Sequence, residues 1–397
     1  MLSRRVKNMK PSTTVELSEK VEDLIRKGED IISFNVGEPD FNTPRNVCEA
    51  AKEGIDQGFT NYTSVAGILE LREAIANKFQ RDNNLAYQPE EIMVSTGAKQ
   101  GLINGVLSLC DAGDEIIVPT PCWVSYIEMI KLAEGKPVLV ATKESSGFQL
   151  DIEKIEEVVS DKTKAIIINT PNNPTGAVYS EGSLRALGEL AEKHDFYILS
   201  DEVYEKLVYE GEKHTSIGSL SKEIRERTIT INGFSKAYAM TGWRLGYAAA
   251  PKKIIRAMIG LQGHMTSGAN SITQKSAIEA LSGAQKTLEH MRKEFDLRRQ
   301  YLFKRLINMK GLTCPDAKGA FYLMPNVSKY YGSYYKGKVI NNSMELSEFL
   351  LDQAKIAVVP GAAFEAPNSI RIAYSNSLKN KKKGMDRMEK ALNLLDV

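Results

Sequence analysis

Cysteine and histidine are scarce in this chain of 397 residues, which contains four of each. The cysteines are widely spaced and form no Cys-x-x-Cys pair, a pattern typical of reduced thiols, so a cytoplasmic location is expected. The histidines are equally scattered and form neither a His-x-x-x-His motif nor a mixed cluster with cysteine. The sequence therefore predicts no zinc or iron site.

A strong excess of one charge and a long apolar run are also missing. The net charge is +2 with basic residues spread along the chain, which argues against nucleic-acid binding. The cluster Lys379–Lys383 is interpreted as the solvated start of a final helix rather than as a phosphate or acidic-partner site. No segment approaches about 18 unbroken apolar residues, so no membrane span is expected.

The first residues carry positive charge without an apolar stretch after it, which argues against a secretory signal. A helical pattern from Glu16 to Lys27 begins too early to leave room for a transit peptide. Apolar residues make up 42% and charged residues 26% of the sequence, as in globular proteins. A chain of this length is too long for one compact core, so a large and a smaller domain are expected.

Short runs rich in β-branched residues alternate with helical patterns through the middle of the chain. The helical stretches include Gly101–Leu109 and Glu181–His194. Apolar strands that alternate with helices indicate an α/β fold with a mostly parallel sheet covered on both faces. The candidate strands are Ile92–Thr96, Glu115–Val118, Pro137–Val140, Ala165–Asn169, Tyr197–Asp201, Thr228–Asn232 and Gly246–Ala250.

The pattern changes after Pro251, where a helical run continues to about Met309. Shorter strands are predicted near Ala320–Leu323 and Ala357–Val359. We interpret the C-terminal quarter, together with the first forty-odd residues, as the smaller domain. The expected division is an N-terminal arm with part of the small domain (1–45), a large domain (46–295) and a C-terminal small domain (296–397).

Polar residues collect at the C-terminal ends of the predicted strands, where ligands bind in open α/β sheets. Ile92–Thr96 runs into Gly97–Lys99 at a helix start, where free N–H groups and the helix dipole suit a phosphate. A simple tight turn would have the same local sequence. Ala165–Asn169 leads into a turn fixed by two prolines, in which Asn172 and Asn173 either face outward or stabilise the turn.

The next two strand ends supply ionisable groups. Asp201 closes an apolar strand, so its carboxylate is poorly solvated and needs a cationic partner, unless it caps the next element. Lys236 follows Thr228–Asn232, and Arg244 lies eight residues beyond it. An amine at the rim of an apolar pocket near other cations has a lowered pKa, as Schiff-base formation requires. A solvated lysine at the rim is the alternative.

Together these strand ends offer a phosphate site, a carboxylate, a reactive amine and an arginine. Pyridoxal phosphate needs all four, because its phosphate binds a helix start and an arginine, its ring nitrogen an anion, and its aldehyde a lysine. The combination predicts a pyridoxal-phosphate enzyme in which Lys236 forms the Schiff base.

The stretch Gly233–Gly246, with the sequence GFSKAYAMTGWRLG, resembles the signature of class I aminotransferases. Asn173–Gly176, Asp201–Tyr204 and Ser369–Ile372 match the same family in the same order. The resemblance covers nearly the whole chain and is strongest to the bacterial I-gamma branch of aspartate aminotransferases, some of which also act on prephenate. Two early segments, Met9–Ser12 and Gly37–Asp40, match that branch as well.

The family resemblance implies fold type I, with a mostly parallel seven-stranded sheet between helices in the large domain and a smaller α/β domain. It also implies roles for individual residues. Lys236 would hold the cofactor and then move the substrate Cα proton as a general base, while Asp201 would keep the pyridine nitrogen protonated. Asn173 and Tyr204 would hydrogen-bond the ring oxygen, and Trp123 would stack on the ring.

Further residues are implied to bind the phosphate and the substrate. Arg371 would clamp the α-carboxylate with two parallel N–H bonds, and Gly37 would let the backbone approach the substrate beside Trp123 and Asn173. Lys10 is the candidate for a substrate side-chain carboxylate, since no second arginine is identified. The implied phosphate contacts are Gly97, Ala98, Lys99, Ser235, Arg244 and, from a second subunit, Tyr62.

These expectations describe a cytoplasmic homodimer that exchanges an amino group between an L-amino acid, aspartate first, and a 2-oxo acid, 2-oxoglutarate first, by a ping-pong mechanism. The alternatives within the fold are an aminotransferase for prephenate or aromatic amino acids, a C–S β-lyase and a decarboxylase, because the cofactor apparatus is shared. A cofactor-sensing regulator would carry an N-terminal DNA-binding domain, whereas the first predicted core strand begins at Ile92 and Gly37–Asp40 precedes it.

Overall fold

The computed structural model describes residues 2–3, 6–7, 9, 11 and 13–396. Lys10, the predicted contact of a side-chain carboxylate, lies outside the described residues. Within them, no helix is both long and apolar enough to cross a membrane.

A seven-stranded sheet forms the centre of the molecule. Strand β1 (Ile32–Ser33) lies outside this sheet. The strands of the sheet are β2 (Ile92–Ser95), β3 (Glu115–Thr120), β4 (Lys136–Ala141), β5 (Thr163–Asn169), β6 (Tyr197–Asp201), β7 (Thr228–Gly233) and β8 (Gly246–Ala249). Their order across the sheet is β2-β8-β7-β6-β5-β3-β4. Strand β8 runs antiparallel to both of its neighbours, and every other pair is parallel. The predicted mostly parallel sheet is confirmed, with each strand end within two residues of its predicted position.

Helices lie on both faces of the sheet and elsewhere along the chain. They are α1 (Thr13–Arg26), α2 (Arg45–Asp56), α3 (Leu69–Asn83), α4 (Ala98–Leu109), α5 (Ser125–Leu132), α6 (Ile152–Glu157), α7 (Glu181–Lys193), α8 (Lys222–Glu226), α9 (Lys252–Met265), α10 (Ser271–Ser282), α11 (Lys286–Ile307), α12 (Ser343–Ala354) and α13 (Leu378–Leu392).

Strand β5 shows why the sheet is buried on both sides. Its successive side chains point to opposite faces. Ile167 packs in one apolar cluster with Leu102 of α4, and Ile166 and Ile168 pack in another with Leu187 of α7. Full burial of each such side chain contributes about 1.5–3 kcal/mol to folding. This double burial explains the unbroken apolar run that the sequence shows.

The helical run predicted from Pro251 to Met309 is not continuous, because three separate helices occupy this segment. Helix α9 ends before Ser267, which adopts a positive φ of 60° that a helix interior does not allow. The side chain of Asn270 then caps α10 by accepting a hydrogen bond from the Thr273 N–H. Gly283 ends α10 before α11 begins.

The N-terminal segment pairs with the C-terminal part of the chain. Strand β1 runs parallel to β12 (Ile356–Ala357). Further along, β13 (Val359–Pro360), β14 (Ile370–Ala373) and β9 (Tyr322–Leu323) form an antiparallel sheet in that order. Strands β10 (Tyr334–Tyr335) and β11 (Lys338–Val339) form a separate hairpin. The domain boundaries at residues 45 and 295 stay predictions.

The lysine cluster lies inside α13, and its interpretation as solvated is wrong for Lys381. The ammonium of Lys381 donates to the carbonyl of Ala373 at 2.6 Å and lies 4.0 Å from the Phe34 ring centroid. Lys381, Gly384 and Met385 share the buried side of the helix. Helical periodicity, rather than charge, therefore decides where this lysine points.

Candidate active site

A cavity of about 620 Å³ opens where β5, β6 and β7 end. The segment around Gly37 and helix α1 border it from the other side. The predicted site residues that line the cavity are Gly37, Ala98, Lys99, Trp123, Asn173, Asp201, Tyr204, Ser235, Lys236, Arg244 and Arg371. The fold thus brings together residues that are far apart in the sequence.

Lys236 follows β7 and points its amine into the cavity. Its Nζ donates to the carbonyl of Gly37 at 2.7 Å. Burial lowers the pKa of Lys236 to about 8, an effect that the Glu38 carboxylate opposes and that Arg371 and Arg244 reinforce. The amine is therefore available as a nucleophile and a base near neutral pH.

Asp201 ends β6 with only 4% of its surface exposed. Its Oδ2 accepts a hydrogen bond from the Tyr126 hydroxyl at 2.7 Å, and its Oδ1 accepts one from the Val203 N–H at 3.3 Å. Burial raises the pKa of Asp201 to about 6, and these two hydrogen bonds work against that rise. The sequence predicted a cationic partner, but the side chain bonded to the carboxylate is a neutral hydroxyl. A cation bound in the cavity would complete the charge pair.

Tyr126 was not predicted from the sequence. It lies one helical turn after Trp123, and its N–H bonds the Trp123 carbonyl at 3.1 Å. The two rings meet edge to face with centroids 5.4 Å apart. The three-residue spacing between these aromatic residues was the available signal, because it places both on one side of a turn. One turn thus supplies both the ring expected to stack on the cofactor and the hydroxyl that holds Asp201.

The start of α4 forms a backbone cradle beside Arg244. Gly97 precedes the helix with a φ of 79°, and no described side chain caps the helix start, so its first N–H groups are free to bind an anion. A Cβ atom at Gly97 would overlap the Arg244 guanidinium, and one at Gly246 would overlap the backbone of Ala98. The backbone contact requires glycine at position 246, and the positive φ favours glycine at position 97. The predicted phosphate contacts Gly97, Ala98 and Arg244 therefore lie together.

Arg371 of β14 is a buried cation whose hydrogen-bond partners are neutral. Its Nη1 donates to Asn173 Oδ1 at 3.0 Å and its Nη2 to the carbonyl of Asn35 at 2.6 Å. The guanidinium lies over two aromatic rings, with its Cζ 4.6 Å from the Tyr322 centroid and 4.9 Å from the Phe364 centroid. Among the described residues, its Nε has no hydrogen-bond partner. Such a buried, incompletely paired guanidinium suits a carboxylate ligand.

Tyr204 also lines the cavity, and it bonds a second residue that was not predicted. Its hydroxyl is 2.8 Å from that of Tyr322, which also lines the cavity. In the sequence, Tyr322 is one residue of an apolar run and gives no functional signal. A Cβ atom at Gly37 would overlap the Tyr322 hydroxyl, so Gly37 permits a close backbone approach to Tyr322, while its approach to the substrate stays a prediction.

The remaining predicted residues are placed as follows. The ammonium of Lys99 lies 4.8 Å from the Trp123 ring centroid. Ser235 borders the cavity next to Lys236. The side chain of Tyr62 is fully exposed and does not line the cavity.

Comparisons with known proteins agree with this geometry. The model of the family described as aminotransferase class I and II matches residues 29–387. The chain is 43% identical to aspartate aminotransferase of Bacillus subtilis (strain 168), with 98% of each chain covered. It is 44% identical to a probable aspartate/prephenate aminotransferase of Thermus aquaticus, with 98% of this chain and 99% of the relative covered. The solved structure of aspartate aminotransferase from Thermus thermophilus with maleate has a TM-score of 0.93 and 43% identity, covering 98% of this chain and 99% of that one. The chain therefore belongs to the class I and II aminotransferase family, as its motifs predicted.

Proposed function

We propose that this protein is a pyridoxal-phosphate-dependent aminotransferase that moves the amino group of L-aspartate to a 2-oxo acid, 2-oxoglutarate first, by a ping-pong mechanism. One observation carries the proposal: a reactive amine, a buried carboxylate and two separate anion sites meet in one cavity. These are Lys236, Asp201, the start of α4 at Ala98 with Arg244, and Arg371.

The residues present fit pyridoxal phosphate. Lys236 offers an amine with a pKa of about 8. Asp201 lacks a bonded cation and would gain one from a protonated ring nitrogen. The free N–H groups after Gly97 and the guanidinium of Arg244 suit its phosphate. The four requirements of the cofactor are thus available within one cavity.

When bound, the cofactor supplies an aldehyde that links to an amine and a ring that accepts electrons from the substrate Cα. Lys236 would hold the cofactor through its amine and, when that amine is free, would act as the base that moves the substrate Cα proton. The negative charge of Asp201 would keep a proton on the ring nitrogen. Arg371 would bind and orient the α-carboxylate, and Asn173 and Tyr204 would hydrogen-bond the ring oxygen.

Lys99 supports aspartate as the donor. It was predicted to hold the phosphate together with Arg244, but its ammonium lies against the ring of Trp123, which is expected to cover the cofactor ring. Burial lowers the pKa of Lys99, and the charge of Arg244 adds to the effect. We therefore assign Lys99 to the side-chain carboxylate of the substrate and leave the phosphate to Arg244 and the α4 backbone.

The quaternary, domain and cellular assignments belong to the same proposal. A fully exposed Tyr62 side chain supports a homodimer in which a second copy covers it and receives its hydroxyl. Pairing of β1 with β12 supports a small domain built from residues 1–45 and 296–397. The four cysteines are free, which supports a reducing, cytoplasmic environment. Prephenate is the second candidate substrate, because the Thermus aquaticus relative bears that name.

A panel of amino acids tests the proposed function. The reconstituted holoenzyme is mixed with each donor while the visible cofactor band and the 2-oxo acid are followed. Aspartate and glutamate should each bleach the band and yield one 2-oxo acid per site. Release of pyruvate with ammonia from a C–S substrate would identify a β-lyase, and release of carbon dioxide a decarboxylase. Protein that takes up no pyridoxal phosphate would contradict the proposal entirely.

Replacing Lys99 by methionine should impair dicarboxylic donors selectively. A hydrogen bond to a charged group contributes about 1.5–3 kcal/mol, so KM for aspartate should rise about 10- to 100-fold. KM for tyrosine should change little, and Lys99→Arg should restore part of the aspartate affinity. Steady-state kinetics with both donors measures the ratio. An equal rise in KM for both donors, accompanied by weaker cofactor binding, would show that Lys99 binds the cofactor phosphate instead.

A further inference from the structure

Two tyrosine hydroxyls meet at the floor of the cavity. Tyr204 follows β6 and Tyr322 lies in β9, and their oxygen atoms are 2.8 Å apart. Their rings cross nearly at right angles, with centroids 5.8 Å apart. Both residues are buried, at 4% and 1% exposure. Burial raises the pKa of both hydroxyls, so each keeps its hydrogen near neutral pH.

Either hydroxyl could be the donor in this pair. Two hydroxyl hydrogens and one shared hydrogen bond leave one hydrogen free for another acceptor. The proposed function requires Tyr204 to give its single hydrogen to the ring oxygen of the cofactor. The hydrogen between the two tyrosine oxygens must then come from Tyr322, which donates to Tyr204. Tyr204 then turns its own hydrogen to the cavity.

The ring of Tyr322 touches two other parts of the site. Its ring centroid lies 4.6 Å from the Arg371 Cζ, which is also 4.9 Å from the Phe364 centroid. Its hydroxyl occupies the space beside Gly37 that a Cβ atom would need. The carbonyl of Gly37 accepts the hydrogen bond from Lys236. Tyr322 therefore contacts the groups expected to hold the substrate carboxylate and the ring oxygen, and it borders the backbone that holds the amine.

We propose that Tyr322 is a positioning residue for the reaction. Its hydroxyl donates to Tyr204 and so leaves the hydrogen of Tyr204 for the ring oxygen of the cofactor, and its ring packs against the guanidinium of Arg371, which is expected to bind the α-carboxylate. The inference rests on the proposed function, since it takes the ring oxygen and the α-carboxylate as the two ligands. A donor that itself accepts a hydrogen bond is the stronger donor.

The role of the Tyr322 hydroxyl is tested by following the visible absorption band of the holoenzyme as a function of pH. A hydrogen donated to the ring oxygen stabilises its negative charge and so keeps the pKa of the lysine–cofactor linkage low. Tyr204→Phe should raise that pKa, and Tyr322→Phe should raise it less, by about 0.5–1 unit. The double variant Tyr204→Phe/Tyr322→Phe should match Tyr204→Phe alone, because the effect of Tyr322 passes through Tyr204.

Tyr209→Phe is the matched control. Tyr209 is also a fully buried tyrosine whose hydroxyl donates to a protein oxygen, the carbonyl of Ala320, but it does not line the cavity. Its loss should lower stability and leave the pKa of the linkage unchanged. An unshifted pKa in Tyr322→Phe, or a shift that persists in full without the Tyr204 hydroxyl, would overturn the inference. A wild-type protein with no visible band would overturn the proposed function instead.

The role of the Tyr322 ring is tested by a second substitution at the same position. Tyr322→Phe keeps an aromatic face against Arg371, whereas Tyr322→Leu removes it. Loss of a buried cation–π contact should raise KM for every amino donor about tenfold in Tyr322→Leu relative to Tyr322→Phe. Circular dichroism checks that both variants are folded. Equal KM values in the two folded variants would rule out the stacking role.

Discussion

Replacing Lys236 by alanine is expected to abolish turnover and the covalent, borohydride-reducible link to the cofactor. Alanine has no amine, so the variant loses both the nucleophile that binds the aldehyde and the base that moves the Cα proton. General base catalysis alone is worth about 10²- to 10⁴-fold, so the half-reaction with aspartate should slow by at least about 10⁴-fold. Stopped-flow absorbance of the half-reaction measures this loss, and mass spectrometry after borohydride treatment detects the link.

Lys253→Ala provides the control, since Lys253 is an exposed lysine on α9. This variant should keep both the link and the rate. The Lys236 variant should still bind the cofactor without a covalent bond, because Arg244 and Asp201 remain. A Lys236→Ala enzyme with a near-normal half-reaction would refute the assignment of the base.

The pKa of Lys236 also predicts how the apoenzyme takes up its cofactor. Burial lowers this pKa to about 8, and only the neutral amine attacks an aldehyde. The rate of covalent uptake should therefore rise with pH, pass its midpoint near 8 and level off above it. A midpoint near the ordinary lysine value would show that the amine is solvated in the apoenzyme.

Lys236, Asp201 and Arg371 could be predicted because their signals are local. Lys236 and Asp201 follow or end parallel strands, whose C-terminal ends meet at one edge of the sheet. Arg371 lies in an antiparallel strand of another sheet and was predicted from its family motif. The seven strands were equally predictable, since burial on both faces requires unbroken apolar runs. The fold and the main charged groups therefore follow from the sequence.

Tyr126 and Tyr322 could not be predicted in the same way. Tyr126 bonds a carboxylate 75 residues away, and Tyr322 bonds a hydroxyl 118 residues away. Such contacts depend on how distant elements pack, and a tyrosine in an apolar run looks like an ordinary core residue. Lys381 was misjudged for a related reason, because neighbouring lysines hid the buried side of its helix.

Replacing Asp201 by asparagine should slow removal of the Cα proton by at least about 100-fold, or ~2.7 kcal/mol of barrier. Asparagine has the size of aspartate and its single oxygen can still accept the Tyr126 hydrogen bond, so the variant removes the negative charge together with the longer bond from the Val203 N–H. Without that charge the ring nitrogen loses its proton, and the ring accepts electrons less readily. The kinetic isotope effect with α-deuterated aspartate identifies the slowed step.

Tyr126→Phe separates the effect of the Asp201 charge from the effect of the hydrogen bond that Asp201 accepts. This variant keeps the carboxylate but removes the 2.7 Å hydrogen bond, which holds the pKa of Asp201 down against burial. That pKa should therefore rise above about 6, so the anion is lost at a higher pH and the acid limb of kcat/KM moves upward. The rate of Cα proton removal at pH 8 should fall far less than in Asp201→Asn.

A loss of that rate below tenfold in Asp201→Asn would mean that another group stabilises the ring nitrogen. An equal loss in both variants would mean that Asp201 acts through its geometry and not through its charge.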